Sequence, residues 1–273
     1  NDHVGYDQSP VDHDSLRAFN TVMRPMGADS PVRRPSDGEW SRIRLILDSL
    51  RAIRKPRLDS IRNGADDDGS GTASMLEIAE ALAGMPVKPK RSILFVSHTG
   101  EEAGLLGSRW FSDHPTVPID SIVGEIDQDM VGRGTATDFP RSGTGAGGDT
   151  YLEVIGAKRI SREFGEYLER ANAKQPKPFA FDYTFDTPGH PLQYYCRADH
   201  YSYARYGIPA VAFSRGEHQD YHQVTDEAQY ISYPDLARVS RMVFDAAVLI
   251  ANAAERPRRD VEKPADPNAP CRQ

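Results

Sequence analysis

Apolar residues recur along this chain in two rhythms. In EWSRIRLILDSLRAI, Trp40, Ile43, Leu47 and Leu50 return at helical spacing. The same period puts Met75, Ile78, Ala79 and Leu82 on one stripe of SGTASMLEIAEALAG, which predicts a helix directly after an acidic stretch. SREFGEYLERANA predicts another helix, and YPDLARVSRMVFDAAVLIANAAE a long amphipathic one. Between them lie short apolar runs that predict buried strands: RSILFVS (91–97), SIVGEID (121–127), YLEVIG (151–156) and GIPAVAF (207–213). Strands alternating with helices predict an α/β fold with a mixed, largely parallel central sheet flanked by helices. In such sheets ligands bind beyond the carboxyl ends of the strands. Residues 8–39 are polar and proline-rich and read as irregular, with a short helix at DSLRAFNTVM. The expected organisation is one domain over 1–254 with an excursion at about 8–60, then a loose tail at 255–273, RPRRDVEKPADPNAPCRQ.

The chain has 273 residues, 38% of them hydrophobic, enough for one large domain with a substantial core. Its net charge of −7 argues against general nucleic-acid binding, which wants a basic face, and suits a site that holds cations. No apolar run approaches the ~18 residues of a membrane span. NDHVGYDQSP shows no basic segment followed by an apolar one, the pattern of a secretion leader. Cys196 and Cys271 are too few for a disulfide framework or a four-cysteine zinc site, and they do not reveal a compartment.

The chemistry concentrates in NGADDDGSG, where Asp66, Asp67 and Asp68 sit side by side. Adjacent carboxylates repel, so something positive has to compensate. An EF-hand does not fit: with Gly69 at the sixth loop position, the first falls on Gly64 and the twelfth on Met75, and neither ligates calcium as required. Three more clusters follow predicted strands: Glu101–Glu102, Asp129 and His222. Each alone is weak. At the strand ends of one sheet they can converge on one crevice, and carboxylates with imidazole suit zinc or another first-row divalent metal.

With its motifs NGADDDGSGTA, GEEAGLLGS, DMVG, ADHYSYARYGIPAVAF and DYHQVTDEAQYI in order, the chain resembles the M28-type zinc aminopeptidases of the di-zinc exopeptidase group. The resemblance implies the three-layer zinc exopeptidase fold, two zinc ions in the complete protein, and a peptide with a free N-terminus as substrate. Position by position, it implies that Asp67 bridges two zincs and that a cis peptide joins it to Asp68. It makes Glu101 the general base, Glu102 and His222 ligands of one zinc, and Asp129 a ligand of the other. Tyr221 matches a tyrosine that hydrogen-bonds the developing oxyanion in some members. Asp199 supports the site, with Ala198 where the family usually has serine. The resemblance also implies secretion or a periplasmic location. Rival readings are a receptor-like or structural member without catalysis, and glutaminyl cyclase or carboxypeptidase chemistry on the same scaffold.

The family's first ligand motif is His-x-Asp. This chain opens NDHVG, which makes Asp2 the aspartate that orients the histidine and puts the ligand before Asn1. The expectation is a segment of a longer protein, with the Asp67–Glu102–His222 position complete and the Asp129 position short of its imidazole.

Overall fold

The computed structural model describes residues 5–134 and 148–273. The strands are β1 (Gly5–Asp12), β2 (Leu58–Arg62), β3 (Glu125–Gln128), β4 (Tyr151–Ile155), β5 (Ala180–Asp182) and β6 (Ala210–Ser214). The α-helices are α1 (His13–Met23), α2 (Asp37–Ile53), α3 (Gly69–Gly84), α4 (Leu106–Asp113), α5 (Arg162–Ala173), α6 (His200–Ala204) and α7 (Tyr233–Asn252). The central sheet runs β3-β6-β4-β5. β6 is parallel to β3 and antiparallel to β4, and β5 is parallel to β4, so the sheet is mixed.

Alternation along the strands explains how both faces are covered. Val211 and Phe213 of β6, with Leu152 and Val154 of β4, join Ile78 and Leu82 of α3, Phe164 and Leu168 of α5, and Val239 and Met242 of α7 in one core. Ala210 and Ala212 of β6, with Ile155 of β4, face the other way and pack with Tyr194, Tyr195 and Tyr203. Successive strand residues point to opposite faces, so one strand serves two cores. No helix among the described residues is long and apolar enough to cross a membrane.

Three expectations need correction. The run 91–97 is not a strand. Arg91 N–H donates to Ala251 O at the end of α7, Leu94 stays 52% exposed, and a cavity of about 730 Å³ opens between this segment and residues 121–129. An apolar pattern marks a segment that wants burial, but a strand also needs a neighbour to complete its ladder. The excursion is not irregular. β1 and β2 pair antiparallel, Gly5 opposite Arg62 and Asp12 opposite Leu58, and close it like a stem. Inside it, α1 and α2 share a small core of Ala18, Met23 and Ile43, with Phe19 and Leu47 beside it. Ser36 and Glu39 form a reciprocal capping box that starts α2. The tail carries no helix or strand, yet it is tied down. Cys271 is disulfide-bonded to Cys196. Gln273 Oε1 accepts from Tyr195 N–H at 2.9 Å, and Asp260 N–H donates to Ile160 O at 2.8 Å.

Candidate metal centre

The acidic turn is built where α3 abuts the end of β3. Asp68 caps α3, its Oδ1 accepting from Gly71 N–H at 2.9 Å and from Met130 N–H at 3.2 Å. The approach is so close that a Cβ on Gly71 would stand 1.9 Å from Gln128 O, which requires glycine there. The neighbouring aspartates point elsewhere. Asp66 is fully buried, with Oδ1 accepting from Gly132 N–H at 2.7 Å and Oδ2 lying 3.1 Å from His218 Nε2. The peptide between Asp67 and Asp68 is cis. Asp226 holds the turn from behind, accepting from the backbone N–H of Asp66 and of Asp67. Asp66 and Asp68 thus point to different partners, yet burial and then the charges of Asp67 and Asp127 still push the Asp68 carboxyl well above the usual range.

Asp67 is left facing the cluster. His222 Nε2 lies 3.2 Å from Asp67 Oδ2 and 3.0 Å from Glu102 Oε1, and ligand atoms of the three residues all fall within 4.8 Å of one another. Burial opposes charge on His222, but its hydrogen bonds with Asp67 and Glu102 outweigh it and push the imidazole up to about 9. Glu101 sits in the tight turn before α4, where its carbonyl accepts from Gly104 and Leu105 N–H. Burial, then the charges of Glu102, Asp199, Asp67 and Asp127, push its carboxyl up to about 9. Asp129 follows β3 and is held well above the usual carboxylate range by burial and then by Asp67, Asp68, Glu101 and Asp127. Its Oδ1 is buried without a hydrogen-bond partner among the described residues.

Tyr221 is 8% exposed, and its ring centre is 3.8 Å from that of His222. Burial and the carboxylates of Asp67 and Glu102 raise its hydroxyl, so it stays a proton donor. It lines a cavity of about 310 Å³ together with Asp67, Glu101, Glu102 and Asp129. Asp199 precedes α6 and lines the larger cavity with Asp67, Glu101 and Asp129. Asp2 lies outside the described residues. Leu105, Met130 and His222 hold left-handed φ angles of 58°, 57° and 58°. Such backbone costs roughly 1–3 kcal/mol per residue and persists only where packing enforces it.

Some contributors escape a sequence reading. Asp127 accepts from His200 N–H at 3.2 Å and is pushed up to about 7 by burial and Asp199. Its signal is spacing: it lies two residues before Asp129 in a strand segment. Asp226, four residues after His222, lies within the motif DYHQVTDEAQYI, but the motif assigned it no role. His218 and Arg133 are fully buried and continue the network: Arg133 Nη1 reaches His218 Nδ1 at 3.3 Å and Asp220 Oδ2 at 3.2 Å.

The donors at Asp67, Glu102 and His222 suit zinc or a similar divalent ion, and a dication would offset the repulsion that raises Glu101 and Asp129. A second group of possible ligands, His13, Asp59 and Glu227, lies elsewhere. There Arg57 pairs with both Asp59 and Glu227, so a guanidinium already supplies the positive charge.

The family model of peptidase family M28 matches residues 47–247. A probable zinc metalloprotease of Pyricularia oryzae is 28% identical over 222 residues, covering 70% of this chain and 42% of that protein. Leucine aminopeptidase 1 of Coccidioides posadasii is 30% identical over 200 residues, covering 70% of this chain and 47% of that protein. The crystal structure of the LapA aminopeptidase of Legionella pneumophila superposes with a TM-score of 0.56 at 24% identity, covering 73% of this chain and 50% of that one. The chain thus spans less than half the length of these two curated relatives. The family match takes in Asp67, Glu101, Glu102, Asp129, Tyr221 and His222, and the chain belongs to peptidase family M28.

Proposed function

We propose that this chain carries the catalytic centre of a zinc-dependent aminopeptidase that hydrolyses the N-terminal peptide bond of peptides. The observation that carries the reading is the Asp67–Glu102–His222 donor set with the high-pKa carboxyl of Glu101 beside it. Asp67, Glu102 and His222 would hold one zinc, with Asp67 and Asp129 flanking a second position. Bound zinc would supply Lewis acidity and make water nucleophilic near neutral pH. Glu101 would take a proton from the attacking water and return it to the leaving amine. Tyr221 would donate a hydrogen bond to the developing oxyanion. The cavity of about 310 Å³ beside them would receive the N-terminal residue, whose free amino group is attracted by the surrounding carboxylates. The names of the relatives, a zinc metalloprotease and a leucine aminopeptidase, support this reading.

The Cys196–Cys271 disulfide supports a secreted or periplasmic location, because such bonds persist in oxidising compartments.

The test is Glu101→Gln, assayed on a panel of aminoacyl p-nitroanilides with zinc measured in parallel. Turnover should fall about 100- to 10,000-fold with zinc content unchanged. Retained turnover would remove Glu101 as the base, and stoichiometric loss of zinc would make it a ligand instead.

A further inference from the structure

Residues 13–30 lie outside the stretch matched by the family model, and the structure seats them on the loop that carries Tyr221 and His222. That loop, 214–227, is almost wholly buried although it has no regular structure from 215 to 227. The turn 24–30 after α1 packs directly against it. Gly27, at φ +52°, lies so close that a Cβ there would stand 2.4 Å from Tyr221 O, 2.7 Å from Tyr221 Cβ and 2.9 Å from His218 O. Ala28 N–H donates to Tyr221 O at 3.2 Å. Asp29 Oδ2 accepts from both Nη1 and Nη2 of Arg197 at 3.0 Å, and Arg197 lines the same cavity as Tyr221. Earlier in α1, Arg17 pairs with the fully buried Asp220, the residue preceding Tyr221. The turn also locks itself: Met26 N–H donates to Ser30 Oγ at 2.8 Å, and Ser30 N–H to Gly27 O at 3.2 Å.

We propose that the turn Arg24–Ser30 is a positioning element for the Tyr221 hydroxyl, and that Gly27 is the residue on which it depends. The proposal rests on the role given to Tyr221 above. No other residue type fits at Gly27. The side chain would occupy the space of the Tyr221 main chain, and a residue with a Cβ also disfavours that φ. Adding a methyl group forces the turn and Tyr221 apart. A displacement of about 1 Å at a group that stabilises a transition state can cost about 100-fold in rate.

The test is a double-mutant cycle on the intact, zinc-loaded protein. Gly27→Ala should lower kcat, taken per folded molecule as counted by circular dichroism, about 10- to 100-fold while KM moves less than about threefold. In a Tyr221→Phe background the same change should cost less than about twofold, because the hydroxyl it misplaces is gone. Asp29→Ala, at a half-exposed position, loosens the same turn without a steric clash and should show the same pattern on a smaller scale. A second readout needs neither zinc nor turnover. In fluorotyrosine-labelled chain the Tyr221 resonance, assigned by its loss in Tyr221→Phe, should shift in Gly27→Ala and Asp29→Ala. Additive effects in the cycle, or an unmoved resonance, overturn the proposal while Tyr221 keeps its role. If Tyr221→Phe leaves kcat unchanged, Tyr221 has no part in the reaction, and the proposal falls with that reading.

Discussion

Opening the Cys196–Cys271 bond tests how the tail is held. The bond closes a loop with a sequence separation of 75. Chain entropy for a loop of that size gives about 15 cal/mol/K, or ~4.5 kcal/mol at 25 °C, as the stabilisation lost when the cross-link is removed. The bond also anchors the far end of the tail. Gln273 Nε2 donates to Phe185 O at 3.0 Å and to Thr187 O at 3.1 Å, and Gln273 O accepts from Gly189 N–H at 3.1 Å. Without the cross-link these ties must hold an otherwise extended segment by themselves. Domains of this kind carry about 5–15 kcal/mol in all, so the loss should be a large share of the total. The assay is urea unfolding of the oxidised chain against the Cys196→Ser/Cys271→Ser double variant, compared by midpoint and slope. A drop of about 3–4.5 kcal/mol is expected. Since Cys196 and Arg197 line the cavity beside Tyr221, KM in the variant should rise as well. A difference under about 1 kcal/mol would refute the loop-closure reasoning and show that the tail is held by its hydrogen bonds alone.

Arg215 is fully buried and donates to the carbonyls of Arg133 at 2.6 Å, Gly134 at 3.0 Å, Gly148 at 2.8 Å and Asp149 at 3.3 Å. Arg215→Met strands buried acceptors at about 1–3 kcal/mol each, so equilibrium unfolding should show a loss of about 3–5 kcal/mol. Burial works against the charge on Glu227, but hydrogen bonds from His13 and Arg57 outweigh it and lower the carboxyl from 4.5 to about 2. Between those values the unfolded chain takes up the proton first. The stability from Glu227 is therefore full above about pH 4.5 and is lost as pH falls towards 2. Acid unfolding followed by circular dichroism should show this dependence in the natural chain and a flatter one in Glu227→Gln; parallel curves would deny Glu227 the role.

Local patterning alone settled much of this protein. Helical periodicity located α2, α3, α5 and α7, and short apolar runs located β4 and β6, because the apolar spacing of a helix or strand is written in neighbouring residues. The ordered acidic and histidine motifs pointed to Asp67, Glu101, Glu102, Asp129 and His222 before any geometry was known. Which partner each element meets is a different kind of information. The apolar stripe of α2 reads like a core helix, yet Trp40 remains 41% exposed because α2 covers α1 and not the sheet. The run 91–97 has the apolar content of a strand but no ladder partner among the described residues. The directions of Asp66, Asp67 and Asp68 depend on His218, Asp226 and Met130, more than sixty positions away in each case. Arg17 meets Asp220 across 203 positions, and Gly27 meets Tyr221 across a similar span. Such meetings follow from how the sheet, helices and excursion pack together, and no local period carries them. The residues that gather at one crevice were therefore legible in the sequence, while the seat that aims them was decided only by the tertiary structure.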